Sequence, residues 1–281
     1  MTRPARQMTS VRLNNGVEMP LLGLGSFQIP EDALGETVRI AGEAGYRAVD
    51  TARIYGNERA VGEALARSGL ERDEVFVISK LWNSDQGYDA ALRAYDRSLD
   101  ELGLDRLDLY LVHWPAPGLG RYPETWRALC WLLGEGRVRA IGVSNFQPAH
   151  LRRVIDETGV VPAVNQIESH PWLQQDELRA VHGELGIVTQ AWGPLGQGHG
   201  VLSEPVVGEL AERYGRTPAQ IVLRWHLQLG HALVPKSARP DRVRENARIF
   251  DFTLDDAAMA ALRGCHRGKR LGPDPDTFDH G

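Results

Sequence analysis

Leu99-Asp100-Glu101-Leu102-Gly103-Leu104-Asp105-Arg106-Leu107-Asp108-Leu109-Tyr110-Leu111-Val112-His113 joins two patterns within a few residues. It opens on the end of a segment, Tyr88–Leu102, whose apolar residues recur at helical spacing. Gly103 stands where a left-handed C-cap would end that helix. From Leu107 the chain becomes a nearly continuous apolar run of strand length, the pattern of a parallel strand covered on both faces. The run finishes on His113, a titratable residue that packing alone does not call for.

The same unit recurs on both sides. Strand-length apolar runs lie at Leu21–Leu24, Tyr46–Asp50, Val75–Lys80, Leu107–His113, Ala140–Ser144, Val164–Ile167, Ile187–Ala191 and Ala232–Val234. Helical patterns lie between them at Glu31–Ala44, Asn57–Ser68, Tyr88–Leu102, Pro123–Glu135, Pro148–Thr158 and Gln175–Leu185. Gly45, Gly69, Gly159 and Gly186 follow four of these as further candidate C-caps. Pro205–Tyr214 and Thr217–Gln228 precede the last run, and Arg239–Phe250 and Leu254–Arg263 follow it, so one helix of each pair is extra to a plain barrel. Val11-Arg12-Leu13 and Val17-Glu18-Met19 flank Asn14-Asn15-Gly16, whose Asn-Gly suits a tight hairpin turn. These units predict an α/β fold, a (β/α)8 TIM barrel with an N-terminal β-hairpin and two extra helices, in one domain over residues 1–281. The tail Gly272-Pro273-Asp274-Pro275-Asp276 reads as turn-rich chain ending on the surface.

Bulk properties exclude several function classes. Of 281 residues, 42% are hydrophobic and 25% charged, as in an ordinary globular protein and unlike a disordered one. A net charge of -5 gives no basic surface for nucleic acid. Cys130 and Cys265 cannot make a disulfide framework, so a reducing, cytoplasmic setting is expected. No apolar run reaches membrane-spanning length, and Met1–Ser10 lacks the apolar core of a signal peptide. His170, His182, His199, His226 and His231 form no His-x-His or His-Glu-x-x-His arrangement, so no metal is expected. In Pro123–Glu135 the apolar stripe is Trp126, Leu129, Cys130 and Leu133, which leaves Trp131 outside it as a candidate contact with another copy.

The ends of the runs carry the chemistry. Asp50, Lys80, His113 and Ser144-Asn145 close four of them, Gln166 lies in another, and Trp192 and Lys236 follow two more. In a (β/α)8 barrel these ends open on one face, where active sites lie. Tyr55, just past Asp50, is a candidate proton donor; a neighbouring Lys80 ammonium would lower its pKa, Asp50 would hold Lys80, and His113 would orient a substrate oxygen. Taken singly, each has a plain structural reading: a packing Tyr, an ion pair, a core His. Their arrival together at neighbouring strand ends favours the chemical one. Ser144, Asn145 and Gln166 offer hydrogen bonds to a carboxamide, and Trp192 a flat face for a nicotinamide ring. Gly193-Pro194-Leu195-Gly196-Gln197-Gly198 would let backbone approach a pyrophosphate. Lys236, Ser237, Arg239 and Arg242 suit a 2′-phosphate, which favours NADPH over NADH, while no Gly-x-Gly-x-x-Gly fingerprint is present.

Asp50-Thr51-Ala52 with Tyr55-Gly56-Asn57-Glu58, Lys80-Leu81-Trp82-Asn83, Leu109–Pro115, Ile141–Phe146 and Pro235-Lys236-Ser237 resemble the signature stretches of aldo-keto reductases. Val161–Glu168, Trp192–Gly198 and Thr217-Pro218-Ala219-Gln220 most resemble the bacterial 2,5-diketo-D-gluconate reductases. The resemblance implies NADPH-dependent reduction of a small carbonyl compound, with Tyr55 as acid, Lys80 and Asp50 supporting it and His113 orienting. It implies that Lys236 and Arg242 take the 2′-phosphate, that Glu245 and Asn246 meet the adenine, and that Phe27, Trp82, Trp114 and Gln197 line the substrate pocket. The segment Ala116–Tyr122 and the C-terminal tail are short, so an open pocket is expected. Family members are commonly monomers. The other reading is an NADPH-binding regulatory module, against which the intact proton donor speaks.

Overall fold

Each apolar run becomes a parallel strand because the helix that follows covers its outer face while the barrel interior covers its inner one. The computed structural model describes residues 10–280, so the N-terminal tail reading lies outside the described residues. The hairpin strands β1 (Ser10–Arg12) and β2 (Glu18–Pro20) pair antiparallel with Val11 opposite Met19. Then come β3 (Leu24–Gly25), α1 (Glu31–Ala44), β4 (Ala48–Asp50), α2 (Glu58–Ala66), β5 (Phe76–Leu81) and α3 (Tyr88–Leu102). β6 (Leu107–Val112), α4 (Tyr122–Gly134), β7 (Val138–Ser144), α5 (Pro148–Thr158), β8 (Val164–Glu168), α6 (Asp176–Leu185) and β9 (Val188–Trp192) follow. The chain closes with α7 (Pro205–Tyr214), α8 (Pro218–Gln228), β10 (Ala232–Leu233), α9 (Pro240–Asn246) and α10 (Asp256–Arg263).

Strands β3 to β10 pair in sequence order. The sheet closes on itself through parallel bridges Leu22–Leu233 and Gly25–Lys236, with Gly23 N donating to Leu233 O at 2.8 Å and Leu233 N to Leu21 O at 2.8 Å. At this seam a Cβ on Gly25 would lie 2.7 Å from the Val234 carbonyl oxygen, so only glycine lets the strands meet. The fold is the expected (β/α)8 barrel with its hairpin and extra helices.

Period-two alternation sorts the interior into layers. Phe76, Ile78, Leu109, Leu111, Ala140, Val164 and Ala232 fill the lower lumen, with Leu13 and Met19 of the hairpin region packed among them. Lys80, His113 and Gln166 stand two residues beyond Ile78, Leu111 and Val164, and Ser144 four beyond Ala140, so all four keep the inward phase. The polar layer therefore sits on a buried apolar floor. A second apolar cluster lies between sheet and helices, and a third joins α7, α8 and α10.

Three element readings need correction. The helix expected over Asn57–Ser68 stops at Ala66, because the Ser68 hydroxyl donates to the Leu65 carbonyl; Gly69 therefore caps nothing. The helix expected over Arg239–Phe250 spans only Pro240–Asn246. Carbonyls in its last turn and beyond it are taken by α8: Gln220 Nε2 donates to Glu245 O and Arg248 O, and Arg224 to Ile249 O. In α4 the buried stripe runs through Tyr122, Trp126, Leu129 and Leu132, while Cys130 and Leu133 sit at its edge; Trp131 is exposed as expected.

Candidate active site

Lys80 is fully buried at the end of β5. An ammonium removed from water must be surrounded by acceptors. Its Nζ donates to Asp50 Oδ1 at 2.6 Å, to Thr51 O at 2.9 Å and to the Tyr55 hydroxyl at 3.3 Å. Burial disfavours its charge, but Asp50 and Tyr55 outweigh that and hold its pKa above the usual value. The turn that presents Tyr55 is pinned from below: Thr51 Oγ1 donates to Asn57 Oδ1 at 2.9 Å, and Asn57 Nδ2 to Ser26 O at 3.0 Å.

Lys80 pulls the Tyr55 pKa down, as the sequence reading expects, yet burial outweighs it and the net direction is up. The phenol is thus held as the protonated acid. His113 is buried with its pKa pushed well below 6.5, first by burial and then by the Lys80 charge, so its imidazole is neutral. Its Nδ1 has no partner among the described residues. A buried N–H without an acceptor is the rarer kind of orphan, which places the single proton on Nε2. His113 meets Tyr55 edge-on at 5.8 Å between ring centroids.

Aromatic rings surround this pair. Phe27 lies 4.9 Å from Tyr55 and Trp82 lies 5.1 Å from His113, centroid to centroid. The tail does not simply end on the surface: Phe278 packs on Trp114 at 4.6 Å and near Trp82 at 6.2 Å. Asp279 accepts from Gly118 N at 2.7 Å, and the His280 carbonyl from Asn83 Nδ2 at 2.7 Å. The short tail and the short 116–122 segment therefore latch together and wall the Trp82 and Trp114 side of the mouth. The buried Glu168 carboxylate fixes the root of the tail, accepting from Leu271 N at 2.6 Å, Gly272 N at 3.0 Å and His170 at 2.9 Å. Gln197 is exposed and hydrogen-bonds to none of these groups.

On the other side of the lumen, Ser144 Oγ donates to Gln166 O at 2.8 Å. Asn145, in the left-handed region at φ 64°, donates to His113 O at 3.0 Å and accepts the Trp192 indole N–H at 2.8 Å. Gln166 Nε2 donates to Asp50 Oδ2 and to Gln190 Oε1, both at 2.7 Å, and its Oε1 has no hydrogen-bond partner among the described residues. A carboxamide donor could take that oxygen, with the half-buried face of Trp192 beside it. The loop after Trp192 has positive φ at Gly193, Gly196 and Gly198; at Gly196 a Cβ would lie 2.2 Å from Val201.

Lys236, Arg239 and Arg242 are exposed and have no carboxylate partner among the described residues. Buried Ser237 accepts from Arg239 N at 3.1 Å and fixes the turn between them. α9 is too short to add much dipole, so these cations are what an anion would meet. Glu245 accepts from Thr217 Oγ1 at 2.7 Å, and Asn246 is buried. The residues thus fit a dinucleotide carrying an extra phosphate. A cleft of about 380 Å³ near the hairpin end, lined by Asn14, Asn15, Leu133, Ile141 and neighbours, holds no titratable side chain.

Sequence reasoning missed Gln190, Glu168, Asn57 and Phe278. Gln190 and Glu168 were recoverable: each is two residues from a chosen position on its strand, hence on the same inward face. Phe278 left no signal, because its tail has neither period.

A barrel whose open face joins a buried Lys–Asp pair, a phenol and a neutral His to a cationic dinucleotide cradle defines a nucleotide-dependent oxidoreductase. Residues 21–267 match the model of the Aldo/keto reductase family. An aldo-keto reductase of Mycolicibacterium smegmatis is 51% identical over 269 residues, covering 96% of this chain and 98% of the relative. Methylglyoxal reductase DkgA of Salmonella typhimurium is 47% identical over 271 residues, covering 96% and 98%. The solved structure of a Gox0644 variant in complex with NADPH matches with a TM-score of 0.93 at 48% identity, over 97% of this chain and 99% of that one. The chain belongs to the aldo/keto reductase family of NADP(H)-dependent oxidoreductases.

Proposed function

We propose that the protein reduces small aldehydes and ketones, dicarbonyl compounds such as methylglyoxal or 2,5-diketo-D-gluconate among them, to alcohols at the Tyr55 end of the barrel. The observation that carries this reading is the hydrogen-bonded line Asp50–Lys80–Tyr55 beside a neutral His113. NADPH, when bound, supplies the hydride. The His113 Nε2–H holds the substrate oxygen and orients it. Tyr55 gives that oxygen its proton as negative charge develops there, and Lys80 stabilises the phenolate left behind. Asp50 keeps Lys80 in place. Phe27, Trp82, Trp114 and Phe278 exclude water and favour a compact substrate with an apolar body.

Ser144, Asn145, Gln166 and Trp192 would hold the nicotinamide end, and the 193–198 loop the pyrophosphate. Lys236, Ser237, Arg239 and Arg242 would hold the 2′-phosphate, with Glu245 and Asn246 at the adenine. The scheme needs no group from a second copy, and we propose a monomer as the working unit.

The test is NADPH consumption by purified protein with methylglyoxal, 2,5-diketo-D-gluconate, an aromatic aldehyde and a sugar aldehyde. Tyr55→Phe serves as control. Steady turnover is expected, reduced about 10²- to 10⁴-fold in the variant with NADPH affinity retained. A fully active variant removes Tyr55 from the mechanism. Tight NADPH binding without turnover on any carbonyl turns the reading toward a regulatory binding module.

A further inference from the structure

Gln190 is fully buried in the middle of β9, bonded to nothing that the scheme above uses except Gln166. Gln166 and Gln190 are register partners on adjacent strands, and Asp50 reaches them from β4 across the lumen. Hydrogen-bond chemistry fixes the polarity of this row. The Asp50 carboxylate only accepts, so the Gln166 amide must turn its nitrogen toward it. One N–H of that nitrogen goes to Asp50 Oδ2 at 2.7 Å, and the other goes to Gln190 Oε1 at 2.7 Å. With both N–H groups taken, Gln166 Oε1 is the atom left to face the pocket. Asp50 alone would leave the amide a single tether, and the last torsion of a glutamine is broad. The second acceptor makes the orientation unique.

From this geometry we infer that Gln190 is a positioning residue for the cofactor site. It locks the Gln166 amide so that Oε1 is presented to the cofactor carboxamide before binding, and the ordering cost does not fall on the binding step. The inference rests on the assignment of Gln166 to the nicotinamide end. Because the same amide nitrogen ties Gln190 to Asp50, the cofactor cradle and the Asp50–Lys80–Tyr55 line form one hydrogen-bonded row.

The test measures NADPH affinity by quenching of tryptophan fluorescence in Gln190→Met, Gln190→Glu and Gln166→Met. Gln190→Met removes the acceptor at similar volume, and Kd for NADPH should rise about fivefold, the size of one net hydrogen bond. The NADPH-to-NADH affinity ratio should not move, because the change lies at the nicotinamide end. Gln190→Glu has an acceptor oxygen in either protonation state and should return Kd to within about twofold. A general packing defect would not be rescued in this way and would not spare the cofactor ratio. If Gln166→Met weakens NADPH binding while Gln190→Met does not, the positioning role is overturned and the Gln166 assignment stands. If Gln166→Met leaves Kd unchanged, the assignment fails and the inference with it. Should Gln190→Met not fold, Gln190→Asn draws the acceptor back by one methylene; the same rise is expected, and an unchanged Kd overturns the role.

Discussion

Tyr55 and His113 are set by burial in opposite directions, and the sign of each fixes what the enzyme should show with pH. Burial raises the phenol above its ordinary value of 10, although Lys80 opposes it. The proposed reduction uses Tyr55 as the protonated phenol, so activity should fall only as pH rises past 10. Burial and Lys80 push His113 well below 6.5, so it stays a neutral donor through the physiological range. With NADPH saturating, kcat/KM for a carbonyl substrate should therefore be flat between pH 6.5 and 10. A limb centred between about 7 and 9 in a pH–rate profile would mean that Lys80 overcomes burial and the phenol ionises early. The residues that the barrel gathers at the candidate site were legible in the sequence because strand ends finishing on Asp50, Lys80 and His113 have no packing explanation. The direction of the Tyr55 shift was not legible, because desolvation depends on Phe27 and on a buried Lys80 that only the fold brings together.

At the scale of elements, regular strands and helices announced themselves and the irregular joins did not. Glu31–Ala44, Tyr88–Leu102, Pro148–Thr158 and Pro205–Tyr214 run as read, since in each of them amphipathic spacing and the residue that ends it agree. α9 is shorter than its pattern because side chains of α8 capture the carbonyls of Arg248 and Ile249 beyond Asn246, a tertiary effect with no local mark. That shortness matters for the proposed function: a 2′-phosphate held there would meet Lys236, Arg239 and Arg242 rather than a helix dipole. Replacing Lys236 and Arg242 together by Ala should raise the KM for NADPH by roughly 10- to 100-fold, as expected for charge-assisted hydrogen bonds, and leave that for NADH nearly unchanged. Steady-state titration with each cofactor checks this; equal losses would place the two cations away from the 2′-phosphate. The tail is the opposite case, an element without period or cap. It is held by Glu168 at its root and Gly118 near its end, and neither contact could be foreseen from spacing.

For the molecule as a whole, buried neutral histidines make the barrel sensitive to acid. His182 joins α6 to the sheet, with Nδ1 2.8 Å from Thr189 Oγ1 and Nε2 2.9 Å from Asn165 Nδ2. His226 pairs with His231 at 2.9 Å and reaches the Pro194 carbonyl at 3.4 Å, so α8 supports the 193–198 loop. Burial lowers His182 to about 4 and His226 to about 3 from 6.5. Above pH 6.5 folded and unfolded chains are both neutral at these sites, and their contribution is complete. As pH falls from 6.5 toward 4, the unfolded chain takes up protons that the fold refuses, and stability is lost through that window. By pH 5 His182 alone accounts for about 2 kcal/mol, a sizeable share of a typical folding free energy. The melting temperature should therefore drop by several degrees between pH 7 and pH 5, above the range where most carboxylates titrate. His182→Gln, which cannot titrate, should melt lower at pH 7 but with a shallower pH slope. A wild-type profile flat from pH 7 to 5, or an unchanged slope in the variant, would show that these imidazoles are hydrated and free to charge in the folded protein.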